Sequence, residues 1–146
     1  AEGRRSRLVQ KLREELQIVE SIDMDVTTLE QGSLVMLEAC CPDDQLERVE
    51  AEIQRELQRS LSAAITDEEF QRAMQLVGNG HRFSLEAPGA VAASVGSQTL
   101  WGRHRDLLAP LQDLLQWEPS TLRERVMPLL QPQRSFTLIA RSEDNT

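Results

Sequence analysis

The sequence is short of several residue types at once. It has two histidines, two cysteines, a single lysine (Lys11) and no tyrosine. No apolar run approaches the ~20 residues that a membrane span requires. His81 and His104 lie too far apart for a zinc motif, and neither HxxEH nor CxxC occurs, so no metal or other cofactor is expected in this chain. The cysteines are adjacent, Cys40 and Cys41. Neighbouring strand residues point to opposite faces, so both read as reduced, small apolar core residues and not as a disulfide. Positive charge is scarce as well: 16 Lys and Arg stand against 24 Asp and Glu, a formal charge of -8. That balance argues against binding a phosphate backbone, so no nucleic-acid partner is expected. Gly78-Asn79-Gly80 lacks the lysine and the preceding strand of a phosphate loop. The serines have no convincing His/Asp companions in the sequence. No signal-peptide pattern opens the chain, but Ala1 is not an initiator Met, which points to a piece processed or excised from something longer. These absences describe a soluble chain of open compartment, with no membrane contact and no catalytic constellation of its own.

What is present suits one folded domain. The 146 residues are 40% apolar and 27% charged, ordinary values for a globular protein with a real core. The positive charge clusters at one end, in Arg4, Arg5, Arg7, Lys11 and Arg13. Such a run is either a solvated helix face or a local contact site for an anion. Leu8, Leu12 and Leu16 recur at helical spacing and predict a helix over 4–15. From 18 to 28 the pattern alternates: Ile18, Ile22, Met24 and Val26 share one face, which predicts a half-exposed strand with Glu20 on that same face. Gly32 closes a short turn that includes Glu30. A second strand over 33–41 is apolar on both sides, with Val35, Leu37 and Ala39 opposite Leu34, Met36 and Cys40. It reads as central and buried, paired with the first in an antiparallel hairpin.

Pro42-Asp43-Asp44 stops the hairpin and starts a helix with Leu46, Val49, Ile53 and Leu57 on its apolar stripe. A linker is expected over 60–64. Thr66 and Glu69 then form a capping box, with Ile65 and Phe70 at the staple positions, so a helix starts at Thr66 and should bury Phe70, Ala73, Met74 and Val77. The glycines at 78 and 80 weaken it, and a continuation or kink is expected through 81–85. A small-residue helix after Pro88, ending at Trp101-Gly102, suggests close packing on a neighbour. Asp106 is a plausible N-cap for a short leucine-rich helix, and Pro119 suits the first turn of the next, with Leu122, Val126 and Leu129 on one face. Phe136, Leu138 and Ala140 alternate, which predicts a last strand over 134–141. The order gives an α+β fold: a small antiparallel sheet of three strands with helices packed on one face. Residues 1–141 are expected to form a single domain, truncated at its N-terminus, and 142–146 a frayed tail.

Two blocks resemble one family. GRRSRLVQKLREELQIVESI, through Gly3, Ser6, Arg7, Leu8, Leu12, Arg13 and Glu14, resembles the Gly-Ser/Arg-Leu approach and Leu-Arg-Glu helix end of the insulinase/pitrilysin-type zinc metallopeptidases, which include the mitochondrial processing peptidase. ITDEEFQRAMQLVGNGHRFSLEAP, through Thr66, Glu68, Glu69, Phe70, Ala73, Ser84, Leu85 and Glu86, is similar to the family's Thr-x-Glu-Glu helix and the break after it. Trp117-Glu118-Pro119 and the segment QPQRSFTLIARS follow its closing order. The resemblance covers nearly the whole chain, as the C-terminal, non-catalytic part of one domain.

The resemblance implies a specific role. In that family similar α+β domains form two halves around a chamber. Zinc and its HxxEH motif sit in one half; the other supplies an arginine and, seven residues on, a tyrosine that hold the substrate peptide. Arg13 matches that arginine, and a guanidinium there suits peptide carbonyls or a carboxylate. Glu20 stands where the tyrosine is expected and is placed to pair with Arg13 instead. A helix-end arginine meeting the helix dipole is the bland alternative for Arg13. The implied partners are another peptidase-like domain or subunit, carrying the zinc, and a peptide substrate. Two other readings remain open from the residues alone: a catalytically silent assembly or interaction module, and an unrelated small α+β ligand-binding domain.

Overall fold

Leu8, Val9 and Leu12 project from one side of the first helix, and that side meets the base of a hairpin and the helix that follows it. The computed structural model describes residues 5–29 and 31–141. Gly3, Arg4, the turn residue Glu30 and the tail 142–146, on each of which an expectation was placed, lie outside the described residues. The chain divides into two compact units, residues 1–63 with 129–146, and residues 64–128.

In the first unit a π-helix (Val9–Glu15) leads to strands β1 (Ser21–Leu29) and β2 (Gly32–Cys40). The strands pair antiparallel, with Ile22 opposite Ala39, Met24 opposite Leu37 and Val26 opposite Val35. Paired residues share a face, so these three pairs line the side toward the helices. A 3-10 turn (Asp43–Gln45) then feeds helix α1 (Leu46–Ser62). The core is Leu8, Val9, Leu12, Ile18, Val19, Ile22 and Val49, with Leu16, Leu37, Ala39, Cys41 and Ile53 packed against it. Leu12 is its centre, 0% exposed. Burying a leucine so fully is worth about 1.5–3 kcal/mol. The expected α+β layering is therefore present: two helices cover one face of a small antiparallel sheet.

The sheet has two strands among the described residues, not three. β2 is not central. Burial fades along the hairpin from Ile22, Leu37 and Ala39 at its base to exposed Val26, Leu34, Val35 and Met36 further out. The apolar content of β2 suits a strand flanked on both sides, but among the described residues only β1 pairs with it. The last strand is likewise not formed. Residues 135–141 are irregular, and Phe136 and Leu138 are 86% and 83% exposed. Alternation makes a segment able to pair, but a strand also needs an edge to pair with. The 3-10 turn before it (Pro132–Arg134) rests against α1.

α1 runs three residues into the expected linker, through Ser62. Ser62 Oγ donates to the Arg59 carbonyl at 3.0 Å, and the chain becomes extended only at Ala63.

The second unit is helical: α2 (Asp67–Ser84), α3 (Pro88–Leu100), α4 (Ala109–Leu114) and α5 (Pro119–Arg125), followed by a 3-10 turn (Met127–Leu130) that reaches the first unit's sequence range. Thr66 caps α2 as expected. Its hydroxyl accepts from the Glu69 N–H at 3.2 Å, and the Glu69 carboxylate accepts from the Thr66 N–H at 3.0 Å. The helix continues through both glycines. Its inner face differs from the expected one: Phe70 and Gly78 are buried and Met74 is half-buried, while Ala73 and Val77 are exposed. Gly78 faces Leu114 of α4, so the inner stripe follows Phe70, Met74 and Gly78 at i, i+4 and i+8. His81 extends that stripe, and its Nε2 lies 2.7 Å from the Leu107 carbonyl oxygen. Among the described residues α3 buries no side chain, so its small residues are not the close-packing surface expected of them.

Two helix ends are set by local chemistry. α3 ends with Gly102 at φ 63, where the Gly102 N–H donates to Thr99 O at 3.0 Å and the Arg103 N–H to Gln98 O at 2.7 Å. That is a Schellman ending, which favours glycine at the left-handed position. Asp106 lies two residues before the N-cap position of the helix it was expected to cap, which Leu108 occupies: its Oδ1 accepts from the Leu108 N–H at 2.6 Å, and α4 starts at Ala109.

Candidate functional site

The site is the junction between the π-helix and β1, and its geometry follows from the backbone. The helix opens with an α-type bond, Gln10 N–H to Ser6 O at 2.9 Å. It then widens, and the Leu16 N–H donates five residues back to Lys11 O at 3.0 Å. π-geometry is rare and occurs often at functional sites. Leu8, Val9 and Leu12 face the core together from this helix.

The chain leaves this helix through Gln17 at φ 52, the one non-glycine residue in the left-handed region among those described. Helices commonly place glycine at this step, and a side chain there costs roughly 1–2 kcal/mol. The turn is closed by the Ile18 N–H, which donates to Leu12 O at 3.0 Å. One consequence corrects the expected strand. Ile18 and Val19 are adjacent and both buried, which a flat strand does not allow, and regular pairing begins only at Ser21. The residues from 18 to 20 thus do not share the alternation of β1, and Glu20 is exposed while Ile18 and Ile22 are buried.

Arg13 sits in the last turn of the π-helix and is exposed. In the basic run around it, Lys11 is paired with Glu15 at 2.8 Å, and Arg5 and Arg7 are engaged as well. Among the described residues of that run, Arg13 is the cation without a partner. Glu20 does not take it up. The Glu20 N–H donates to Cys40 O at 2.8 Å, and its Oε2 lies 3.8 Å from the Cys40 sulfur, a weak S–H contact across the base of the hairpin. Structure thus brings Glu20 to Cys40 and leaves Arg13 open.

The cysteines behave as separate thiols, Cys40 exposed and Cys41 half-buried. Burial pushes the Cys41 thiol above its ordinary range, and Cys40, Asp43, Asp44 and Glu20 raise it further. The described residues do not offer a donor set for zinc. No group of three or more His, Cys, Asp or Glu among them could hold a metal ion. His81 already meets the Leu107 carbonyl, and His104 is exposed. No helix among the described residues is long and apolar enough to cross a membrane.

Arg13 and Glu20 were legible in the sequence as candidates. The widened helix and the left-handed Gln17 were not, because glutamine at that step gives no signal of the kind glycine would.

A helix joined to a hairpin through a strained turn, with a long helix behind, defines a small α+β scaffold domain. The family model described as the Peptidase M16 inactive domain matches residues 1–77, more than half of the chain. The chain belongs to that family, as a non-catalytic peptidase-like segment, in keeping with the insulinase/pitrilysin-type resemblance of its sequence. The matched residues hold the π-helix, the hairpin, α1 and the first half of α2. Comparison with curated proteins gives no match. Family membership removes the reading as an unrelated ligand-binding domain.

Proposed function

We propose that this chain forms part of the wall of a peptide-binding chamber in an M16 peptidase or peptidase-like protein, and that zinc-dependent peptide hydrolysis is done by another domain or subunit. Arg13 is the contact residue in this reading. Its guanidinium donates to carbonyl oxygens of an extended peptide or to a carboxylate. The observation that carries the proposal is an exposed arginine without a partner among the described residues, at the end of a helix whose exit is held by a strained residue. Strain of this kind persists where the surrounding structure over-determines it, and it gathers at functional sites. Glu20, in the place of the family's tyrosine, contributes a carboxylate bound toward Cys40 and leaves the guanidinium to act alone.

The test uses the complete parent assembly and a fluorogenic peptide. Arg13→Ala should raise KM about tenfold, the equivalent of one charge-assisted hydrogen bond, with kcat little changed. Arg13→Lys should recover part of that loss. Unchanged KM in both variants would set the proposal aside.

A second reading, a catalytically silent assembly module, is favoured by the exposed apolar residues Val26, Leu34 and Met36 on the outer hairpin. It expects Arg13→Ala to leave turnover untouched while Leu34→Asp weakens association with the neighbouring peptidase-like domain.

A further inference from the structure

Two parts of the first unit are each half of a β-interaction. β2 carries Leu34, Val35, Met36 and Leu37 in succession, the composition of a strand flanked on both sides, yet one of its edges is unpaired among the described residues. An unpaired edge with apolar side chains on both faces is a template for another strand. Residues 135–141, SFTLIAR, have the opposite need. They are rich in strand-forming residues and contain neither proline nor glycine. Among the described residues, 136–141 make no backbone hydrogen bond, and their alternating side chains Phe136 and Leu138 lie in solvent.

Charge matches the two halves. No Lys or Arg occurs between Glu14 and Glu47, and Asp23, Asp25 and Glu38 stand exposed along the hairpin. Asp23 and Glu38 are directly opposite each other, an unfavourable like-charge pair that a nearby cation relieves. The segment 134–141 carries Arg134 and Arg141 at its ends and no acid between them. Fully extended, seven residues span about 23 Å, enough to run along most of β2.

We propose that two copies of this chain associate by reciprocal strand addition, residues 135–141 of each pairing with the free edge of β2 in the other. Both halves belong to the same structural unit but are unpaired with each other within one copy. Exchange between two copies pairs the free edge of each β2 with the segment of the other at once, and a two-fold arrangement uses up both β2 edges and both segments, so the same exchange does not extend to a third copy. The Arg134 and Arg141 charges then lie along the acidic hairpin, which makes the association sensitive to ionic strength.

Sedimentation velocity of the full chain over a hundredfold concentration range tests this, with hydrogen exchange read at both ends of the range. The expected result is a monomer–dimer equilibrium that weakens as salt rises, with amides of 136–141 and of β2 protected only where the dimer is populated. Ending the chain after Arg134 should abolish the dimer. Phe136→Asp with Leu138→Asp should do the same while the circular dichroism spectrum is unchanged, since both side chains are exposed in the monomer. A chain that stays monomeric at every concentration overturns the proposal, whether 136–141 is then protected on its own sheet or unprotected. So does a dimer that survives the double substitution, or one that leaves β2 unprotected.

Discussion

The Ile18 N–H reaches back to the Leu12 carbonyl at 3.0 Å, across a left-handed Gln17. This bond joins the most buried side chain of the first unit to the residue that starts the path into β1. Arg13 follows Leu12 directly, so the orientation of the candidate contact residue is tied to the core through one backbone hydrogen bond. Loosening the turn and hollowing the core should therefore have separable effects.

Gln17→Gly should stabilise the chain. Glycine adopts φ 52 without the Cβ clash, which recovers roughly 1–2 kcal/mol, less the 0.5–1 kcal/mol of extra chain entropy it loses on folding. A net gain of up to about 1.5 kcal/mol in urea unfolding is expected. A net loss would mean that the glutamine side chain stabilises the junction by contacts larger than the strain.

Leu12→Ala should be the most damaging single truncation in the first unit. Leu12 is completely enclosed, and removing it leaves a cavity between the π-helix, the hairpin and α1. The expected cost is about 2–5 kcal/mol, read as a lowered urea midpoint at unchanged slope. Arg13→Ala beside it should change stability by no more than about 0.5 kcal/mol, because that side chain is exposed and makes no pairing contact among the described residues. The pair of variants distinguishes a core residue from a contact residue at adjacent positions.

In the second unit Thr66→Ala should cost about 1 kcal/mol by removing the capping box of α2. Gly80→Ala should act in the other direction. A Cβ at residue 80 meets nothing within 4 Å, and alanine is favoured over glycine in a helix by about 1 kcal/mol. Helical ellipticity during thermal unfolding reads both. A destabilising Gly80→Ala would show that α2 needs the glycine for something other than space.

Cys41 should label slowly. Its raised pKa keeps the thiol protonated where an ordinary cysteine begins to ionise, so iodoacetamide should modify exposed Cys40 first near neutral pH. The gap should narrow as pH rises. The same shift has a sign for stability. The folded state favours the neutral thiol, so the contribution is complete below the ordinary cysteine range and is lost as pH climbs through the raised pKa. Peptide mapping of partially alkylated protein separates the two sites, and equal labelling at neutral pH would contradict the assignment.

Much of the local architecture was readable from residue order. The capping box needs only Thr66 and Glu69 three positions apart, and proline at 119 needs only the first turn of a helix; both are contacts within a turn of chain. The hairpin was readable for the same reason, since a short connection fixes the register that sets Ile22 against Ala39. Arg13 became a candidate through a motif of neighbouring residues, and the structure places it exposed in the last turn of its helix.

Non-local decisions were not readable. Apolar residues on both faces made β2 look central, and alternation made 134–141 look like a strand, but each depends on whether a second edge lies beside it. The buried side of α2 shifted from Ala73 and Val77 to Gly78 because the packing of α4, through Leu114, chose between two stripes that helical spacing allows equally. The same holds for Glu20: its charge allowed a pair with Arg13, and the turn at Gln17 and the approach of Cys40 sent it elsewhere. Caps, turns and periodicity depend on residues a few positions apart, so local chemistry settles them. Strand partners, helix faces and charge pairing depend on residues distant in sequence, and only the folded chain selects among the contacts that each residue could make.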